Sequence, residues 1–208
     1  MPDRRDDSAG RRAAFTCRHQ PLRLPDERVR ELEAAYQEPH RAYHNMNHIA
    51  ELLGWFDTVA DDVGWQDPAR VYAAIVFHDA IYVPGAKDNE KRSADWARRA
   101  GFGEEVAALI EMTADHGKHM GASGDAALFL DCDMAIVGAP PGAFDTYNAA
   151  IAAEYSHVPR DAFAAGRRAF LQSLASKPRI FLTSYFHDRL DAQARANLTR
   201  AVANLRGT

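Results

Sequence analysis

The sequence is poor in cysteine and carries no excess of positive charge. Its 208 residues include only two cysteines, Cys17 and Cys132, which lie far apart and form no C-x-x-C pair. This argues against a disulfide framework and against a cysteine-based zinc site. Acidic residues outnumber basic ones by 29 to 25, and no basic block occurs. We therefore expect neither a nucleic-acid partner nor a membrane surface as a partner.

Long apolar runs are also missing. No window approaches the roughly 18 consecutive apolar residues of a membrane-spanning helix, and residues 1–20 lack the apolar stretch of a signal peptide. We therefore predict a cytoplasmic protein whose cysteines stay reduced. Residues 1–20 are expected to form a flexible leader, and residues 21–208 a single domain.

Alanine is abundant instead, and apolar residues recur at helical spacing. Residues 69–80, ARVYAAIVFHDA, are apolar almost all round, which favours a central buried helix. A strand is the alternative for VYAAIVF, but its paired alanines and the proline before it favour a helix. A period near 3.6 places His48 in the first turns of another helix, and Asp188 or Asp191 is expected to cap the last one. The prediction is an all-α, single-domain compact helical bundle of about eight to ten helices.

Histidines beside acidic residues need a chemical explanation. His78 and Asp79 are adjacent within the apolar segment, where ionisable side chains are costly unless paired, hydrogen-bonded or metal-bound. His48 and Asp133, from other helices, would complete a set of two imidazoles and two carboxylates. Such mixed ligands suit a borderline or hard divalent ion. An octahedral ion would keep positions open for water and substrate, as a catalytic metal requires.

The order His, His-Asp, Asp in an all-helical chain resembles the HD-domain superfamily of metal-dependent phosphohydrolases. Within it, the chain looks like the small bacterial proteins described as predicted metal-dependent HD phosphohydrolases. The resemblance runs from about Tyr36 to Leu205 and is carried by RAYHNMNHI, FHDAIY, KDNEKRSA, FLDCDMAIVG, YNAAIAAEY and ARANL. It implies that residues 21–208 form an HD-type helical domain. It also implies that Asp133 is the distal metal ligand, with Asp131 as the competing choice.

The resemblance implies a reaction as well. A metal-bound hydroxide would hydrolyse a small phosphomonoester or nucleotide, the ion being Mn²⁺, Fe²⁺, Co²⁺, Ni²⁺, Mg²⁺ or Zn²⁺. Glu90 is the candidate general base, and its alternative is an ordinary first-turn glutamate favoured by the helix dipole. His44 and Arg41 are candidates to orient water and phosphate. The alternative for His44 is a zinc-binding histidine pair with His48, four residues later, and the alternative for Arg41 is a surface salt bridge. His116 is a candidate for a second metal or a phosphate contact, and its alternative is a loop histidine.

Several alternatives stay open. The chain is also compatible with a non-catalytic metal- or ligand-binding helical module, or with a di-iron oxygenase, and with a homo-oligomer. His187-Asp188 is a second literal His-Asp doublet, but it lacks an apolar helical context and we interpret it as structural. Lys87 and Lys118 lie in loops. Each side chain would either neutralise a phosphate or be solvated. Arg167 lies inside a helix that would point it at the site or at an internal carboxylate.

Overall fold

A computed structural model describes residues 14–205 of the protein, apart from the side chain of His116. The described residues form nine α-helices and no strand, which confirms the all-α prediction. The helices are α1 Asp26–Tyr36, α2 Met46–Asp62, α3 Pro68–Phe77, α4 Asn89–Arg99, α5 Glu104–Met112, α6 Gly124–Met134, α7 Pro141–Glu154, α8 Arg160–Ala175 and α9 Ser184–Asn204. Two 3-10 helices follow α5 and α6, at Thr113–His119 and Ala135–Gly138.

Side-chain caps fix where three of these helices begin. The Asn45 side chain accepts a hydrogen bond from the backbone N–H of Asn47 at the start of α2, and Asp67 does the same before α3. Both satisfy donors that a helix leaves free in its first turn. Thr183 caps α9. The prediction that Asp188 or Asp191 caps the last helix is therefore wrong, because both residues lie inside α9.

Two apolar clusters form the core. The first joins α1 to α5 and includes the fully buried rings of Phe56, Tyr72 and Phe77. The second joins the later helices and includes Phe144 and Phe181. The side chains of α3 are buried on all sides from residue 71 to residue 77, as the sequence predicts. Helices α2, α3 and α6 contact one another where the two clusters meet.

Gly138 fixes the end of α6 against α9. A Cβ atom at this position would lie 2.6 Å from Leu190 Cβ and 2.9 Å from the Leu190 carbonyl oxygen. Only glycine permits backbones to approach so closely. The 3-10 helix after α6 is thereby held on α9, which sets the position of the α6 C-terminal turn.

Residues 14–20, which the sequence assigns to a flexible leader, contact the helical domain. Phe15 is buried, and its carbonyl oxygen accepts a hydrogen bond from Tyr72 Oη. The Asp57 carboxylate accepts hydrogen bonds from the backbone N–H groups of Arg18 and His19, at 2.8 and 2.9 Å. The remainder of the expected leader, residues 1–13, lies outside the described residues.

Among the described residues, no single helix is both long and apolar enough to cross a membrane. The segments Gly124–Gly138 and Pro141–Glu154 pass by length and composition only when taken together, and the pair is bent by 100°. Helix α3 is apolar but has only 10 residues.

Candidate metal centre

Four side chains from three parts of the chain converge where α2, α3 and α6 meet. The Nε2 atoms of His48 and His78 lie 3.2 Å apart. Asp133 Oδ1 lies 3.3 Å from His48 Nε2 and 3.6 Å from His78 Nε2. One ligand atom from each of these three residues lies within 4.8 Å of the other two, so the group could hold a metal ion.

Asp79 approaches the same point from the turn that follows α3. Its Oδ2 atom lies 3.1 Å from His78 Nε2 and 3.6 Å from His48 Nε2. The three-residue group of His48, His78 and Asp133 does not include it. Asp79 therefore borders the group on the side of the two imidazoles, in the position expected of a fourth ligand.

The spacing and chemistry of these atoms fit a divalent cation. Ligands about 2.0 to 2.2 Å from one ion, at angles of about 90 to 110°, lie roughly 3 to 3.6 Å from each other. The four distances between the two imidazoles and the two carboxylates fall in this interval. His78 Nδ1 lies 2.8 Å from the carbonyl oxygen of Ile75, so the ring donates there and leaves the Nε2 lone pair for a cation. His48 Nδ1 is buried and has no hydrogen-bond partner among the described residues.

The charges of the cluster are strongly coupled. Burial opposes a charge on His78, but Asp79 and Asp133 outweigh it and raise the pKa of His78 well above its usual value. Burial would likewise raise the pKa of Asp79, but His78 lowers it well below its usual range. A cation that binds the Nε2 atoms of His48 and His78 must therefore displace a proton. Positive charge at this point is what the two carboxylates favour.

The end of α3 places the His-Asp pair at the cluster. The sequence places the pair inside a helix, but α3 ends at Phe77, with His78 as its C-cap and Asp79 in the following turn. A helix end leaves carbonyl groups without partners. Here Tyr36 Oη donates to the Val76 carbonyl oxygen at 3.0 Å. Because the helix stops here, Asp79 turns back towards the two imidazoles.

Arg41 is placed differently from the sequence-based expectation. Its side chain is 0% exposed and is not among the residues that line the cavity beside the cluster. Its guanidinium donates to the carbonyl oxygens of Asp79 at 2.7 Å, Ala80 at 3.1 Å and His44 at 3.0 Å, and its Nε donates to Glu38 at 2.9 Å. Arg41 therefore joins the turn that carries Asp79 to the segment that leads into α2. Its role is to hold ligand-bearing backbone in place.

His44 lies at the site but is held by a residue that sequence reasoning missed. The buried Glu154, at the end of α7, accepts hydrogen bonds from the backbone N–H groups of Tyr43 and His44 at 2.7 and 2.9 Å. Its second oxygen lies 2.7 Å from His44 Nδ1 and accepts from Tyr82 Oη at 2.8 Å. His44 also stacks on the Tyr82 ring. The sequence feature that could have identified Glu154 is an acidic residue at the end of the apolar stretch AAIAAE.

Glu154 gives the fold a pH dependence. Burial would raise the pKa of Glu154, but hydrogen bonds and charge from His44 prevail and lower it from 4.5 to about 2. Because the folded-state pKa is the lower one, this stabilisation is complete above about pH 4.5 and is lost as the pH falls towards 2. We expect Glu154→Gln to lower the free energy of unfolding at pH 7 by about 2 kcal/mol. Its difference from the wild type should shrink between pH 4.5 and 2.

Urea unfolding at a series of pH values checks this prediction. Glu105→Gln is the matched control, because the Glu105 side chain is 79% exposed and its removal should change stability little. A difference between Glu154→Gln and the wild type that stays constant down to pH 2 would show that folding does not lower the pKa of Glu154.

The two candidate distal aspartates have separate functions. The Asp131 carboxylate accepts hydrogen bonds from the backbone N–H groups of Leu182 and Thr183, at 2.7 and 2.8 Å, and from the Thr183 hydroxyl. Asp131 therefore anchors the segment that leads into α9. Of the two, only Asp133 belongs to the group that could hold a metal ion.

A cavity of about 400 Å³ opens onto the cluster. Asp79, Asp133, Glu90 and His44 line it, so two of the four candidate ligands, Asp79 and Asp133, face a space large enough for a small molecule. Glu90 lies in the first turn of α4. The side chains of Asn89 and Ser93 attach this helix to the 81–83 segment, because they accept hydrogen bonds from the backbone N–H groups of Val83 and Ile81. Lys177, after α8, is the only lysine or arginine among the described residues that line the cavity.

The remaining predicted site residues lie elsewhere or outside the described part of the chain. His116 falls in the 3-10 helix Thr113–His119, and its side chain lies outside the described residues. His187 lies 3.3 Å from Asp191, one turn along α9, and does not line the cavity. This agrees with a structural interpretation of the second doublet. The Lys118 side chain is 79% exposed and pairs with Asp115 at 3.2 Å.

The chain was compared with protein-family models, with curated proteins and with solved structures, and none of the three comparisons returned a match.

Proposed function

We propose that the protein is a metal-dependent phosphohydrolase that acts on a small phosphomonoester or nucleotide. The observation that carries this proposal is the convergence of His48, His78, Asp79 and Asp133 beside a cavity that also contains a lysine and a glutamate. These four residues would hold one divalent cation, one of Mn²⁺, Fe²⁺, Co²⁺, Ni²⁺, Mg²⁺ and Zn²⁺. When bound, such an ion lowers the pKa of a coordinated water and neutralises charge on a phosphoryl group.

The other residues of the cavity have complementary roles. Water attacks phosphorus, the phosphorus–oxygen bond to the alcohol breaks, and the alcohol oxygen leaves with a proton, so that the products are an alcohol and inorganic phosphate. We assign Glu90 as the carboxylate that accepts a proton from the attacking water. Glu154 orients the His44 ring through the contact with His44 Nδ1. His44 Nε2 is thereby left for the phosphate or the leaving oxygen.

Two further groups suit a phosphate. Lys177 supplies a positive charge on the cavity wall. Tyr43 lines the same wall, and its hydroxyl is buried without a hydrogen-bond partner among the described residues. Burial raises the pKa of Tyr43 well above its usual value, so the hydroxyl remains protonated and able to donate. Charge-assisted bonds of this kind are the strong contacts of a phosphate site.

Lys177→Ala is expected to raise the KM for a phosphomonoester about 10- to 100-fold, the loss that follows from one charge-assisted hydrogen bond. The affinity for metal should not fall, because a lysine ammonium group has no lone pair to offer a cation. Steady-state kinetics and metal titration measure the two effects. Lys118→Ala removes an exposed lysine nearby and serves as the control. Equal KM values for the two variants would remove Lys177 from the phosphate site.

The proposal itself is tested by a metal-by-substrate screen. Protein stripped with a chelator is reloaded with each of the six divalent ions and assayed for phosphate release from a panel of phosphomonoesters. We expect activity to be absent without metal and restored by at least one ion. Protein that binds metal but hydrolyses no member of the panel would instead support a non-catalytic metal-binding module. Oxygen consumption by an iron-loaded sample would support an oxygenase.

A further inference from the structure

A second cavity, of about 500 Å³, adjoins the first. The two share four lining residues, His44, Glu90, Tyr147 and Phe170, so the same side chains form the boundary between them. The candidate ligands Asp79 and Asp133 line only the first cavity. A molecule with its phosphate at the metal centre would therefore extend past this boundary into the second cavity.

The wall of the second cavity is unusually rich in rings. Five aromatic side chains from the 81–83 segment, α7, α8 and the α7–α8 connection line it: Tyr82, Tyr147, Tyr155, Phe163 and Phe170. Phe170 is 44% exposed, although an aromatic ring of this size is normally buried. Such rings offer flat apolar faces to a ligand, and flat faces are stacking surfaces for another planar group.

Arg167 adds a planar cation to this wall. Its guanidinium carbon lies 5.0 Å from the centroid of the Tyr147 ring and 5.2 Å from that of Phe170. The Nε and Nη2 atoms both donate to Asn148 Oδ1, at 3.1 and 2.8 Å. The guanidinium is therefore held against the two rings at the boundary of the cavities. A guanidinium in such a position stacks on π-systems and favours electron-rich rings.

We propose that the second cavity binds a planar aromatic or heteroaromatic group in the leaving alcohol of the substrate. This inference rests on the proposed phosphohydrolase function, because it assigns the phosphate to the first cavity. An aryl phosphate and a nucleoside monophosphate share the required chemistry. In the first, the ring is attached directly to the phosphate oxygen, and in the second a sugar separates them.

Gly166 provides a way to fill the second cavity alone. It lines this cavity on α8, and a Cβ atom added there would meet no atom within 4 Å. Leucine is also a better helix former than glycine, so Gly166→Leu should fold at least as stably as the wild type. Gly54 on α2 has equally open surroundings and lines neither cavity. Gly54→Leu is therefore the matched control.

Binding is measured by calorimetry on Mn²⁺-loaded protein with phenylphosphonate and methylphosphonate, which are not hydrolysed. We expect the wild type and Gly54→Leu to bind phenylphosphonate at least 10-fold more tightly than methylphosphonate. Gly166→Leu should lose this preference while it still binds methylphosphonate. In parallel, kcat/KM for phenyl phosphate and for a nucleoside monophosphate, each compared with methyl phosphate, identifies which kind of ring the cavity accepts.

The outcomes separate this inference from the proposed function. If the wild type lacks a preference for the ring, or if Gly166→Leu retains it, the assignment of the second cavity is overturned even when phosphate release is observed. If the preference depends on Gly166 but no phosphomonoester is hydrolysed, the second cavity binds rings as proposed and the phosphohydrolase function fails.

Discussion

Replacement of His78 by alanine is expected to abolish divalent-metal binding and to lower kcat/KM for a phosphomonoester by at least about 10³-fold. This loss corresponds to roughly 4 kcal/mol, which is in the range that a bound cation contributes to transition-state stabilisation. The physical reason is that His78 lies within 3.6 Å of all three of the other candidate ligands. Without its imidazole, Asp79 and Asp133 repel each other with less compensation, and the cation loses a nitrogen ligand.

Metal content after dialysis, and the rise in melting temperature on addition of metal, measure binding without any assay of turnover. Asp133→Asn is the second variant, because it keeps the volume of the side chain and separates loss of a ligand from loss of packing. His187→Ala is the control, since it removes the other literal His-Asp doublet, which lies outside the cavity. Unchanged metal content in both His78→Ala and Asp133→Asn would place the metal site elsewhere.

Replacement of Arg41 by methionine is expected to lower the free energy of unfolding by about 3 to 5 kcal/mol. Methionine fills much of the same space between the Tyr36 and Tyr82 rings, but it cannot donate hydrogen bonds. The buried carbonyl oxygens of Asp79 and Ala80 would then lack these donors, and Glu38 would lose its charge partner. Each unsatisfied buried group costs about 1 to 3 kcal/mol, so the two carbonyl groups account for this loss. The pair with Glu38 adds little, because the Glu38 side chain is 45% exposed.

Chemical denaturation of metal-free protein measures this change. Arg23→Met is the control, because the Arg23 side chain is 85% exposed in its pair with Asp26 and exposed pairs contribute little. We also expect metal affinity to fall in Arg41→Met, since the turn that carries Asp79 loses its support. A variant of unchanged stability with a raised KM would instead return Arg41 to the phosphate-binding role that the sequence predicts.

The two roles considered for Arg41 show which contacts can be predicted from a sequence and which cannot. The proximity of Arg41 to His44 in the chain is visible at once, but its bonds to Asp79 and Ala80 join residues 38 and 39 positions apart. Glu154 reaches His44 across 110 positions. Nothing in the local pattern encodes such pairs, because they depend on how separate helices pack.

Asp131 and Asp133 pose the same problem at short range. Residues two positions apart on a helix point about 200° away from each other. One of the two aspartates therefore faces the histidines and the other faces away. The sequence contains both aspartates but does not show which one faces the histidines. The packing of α6 decides this, because α6 contacts α2 and α3 on one side and its end approaches α9 on the other. The same packing places Asp131 against Leu182 and Thr183.

The sequence by itself determined the all-helical class and the residue types available to a metal, because helical periodicity is a local property of the backbone and ligand chemistry belongs to single side chains. The end of α3 at Phe77 and the support of its last turns were decided by tertiary contacts, since free carbonyl groups need donors from elsewhere in the chain. Tertiary structure also decided the convergence of His48, His78 and Asp133, and the two adjoining cavities. These features exist only where separate helices meet, and no spacing along one helix measures the distance to another.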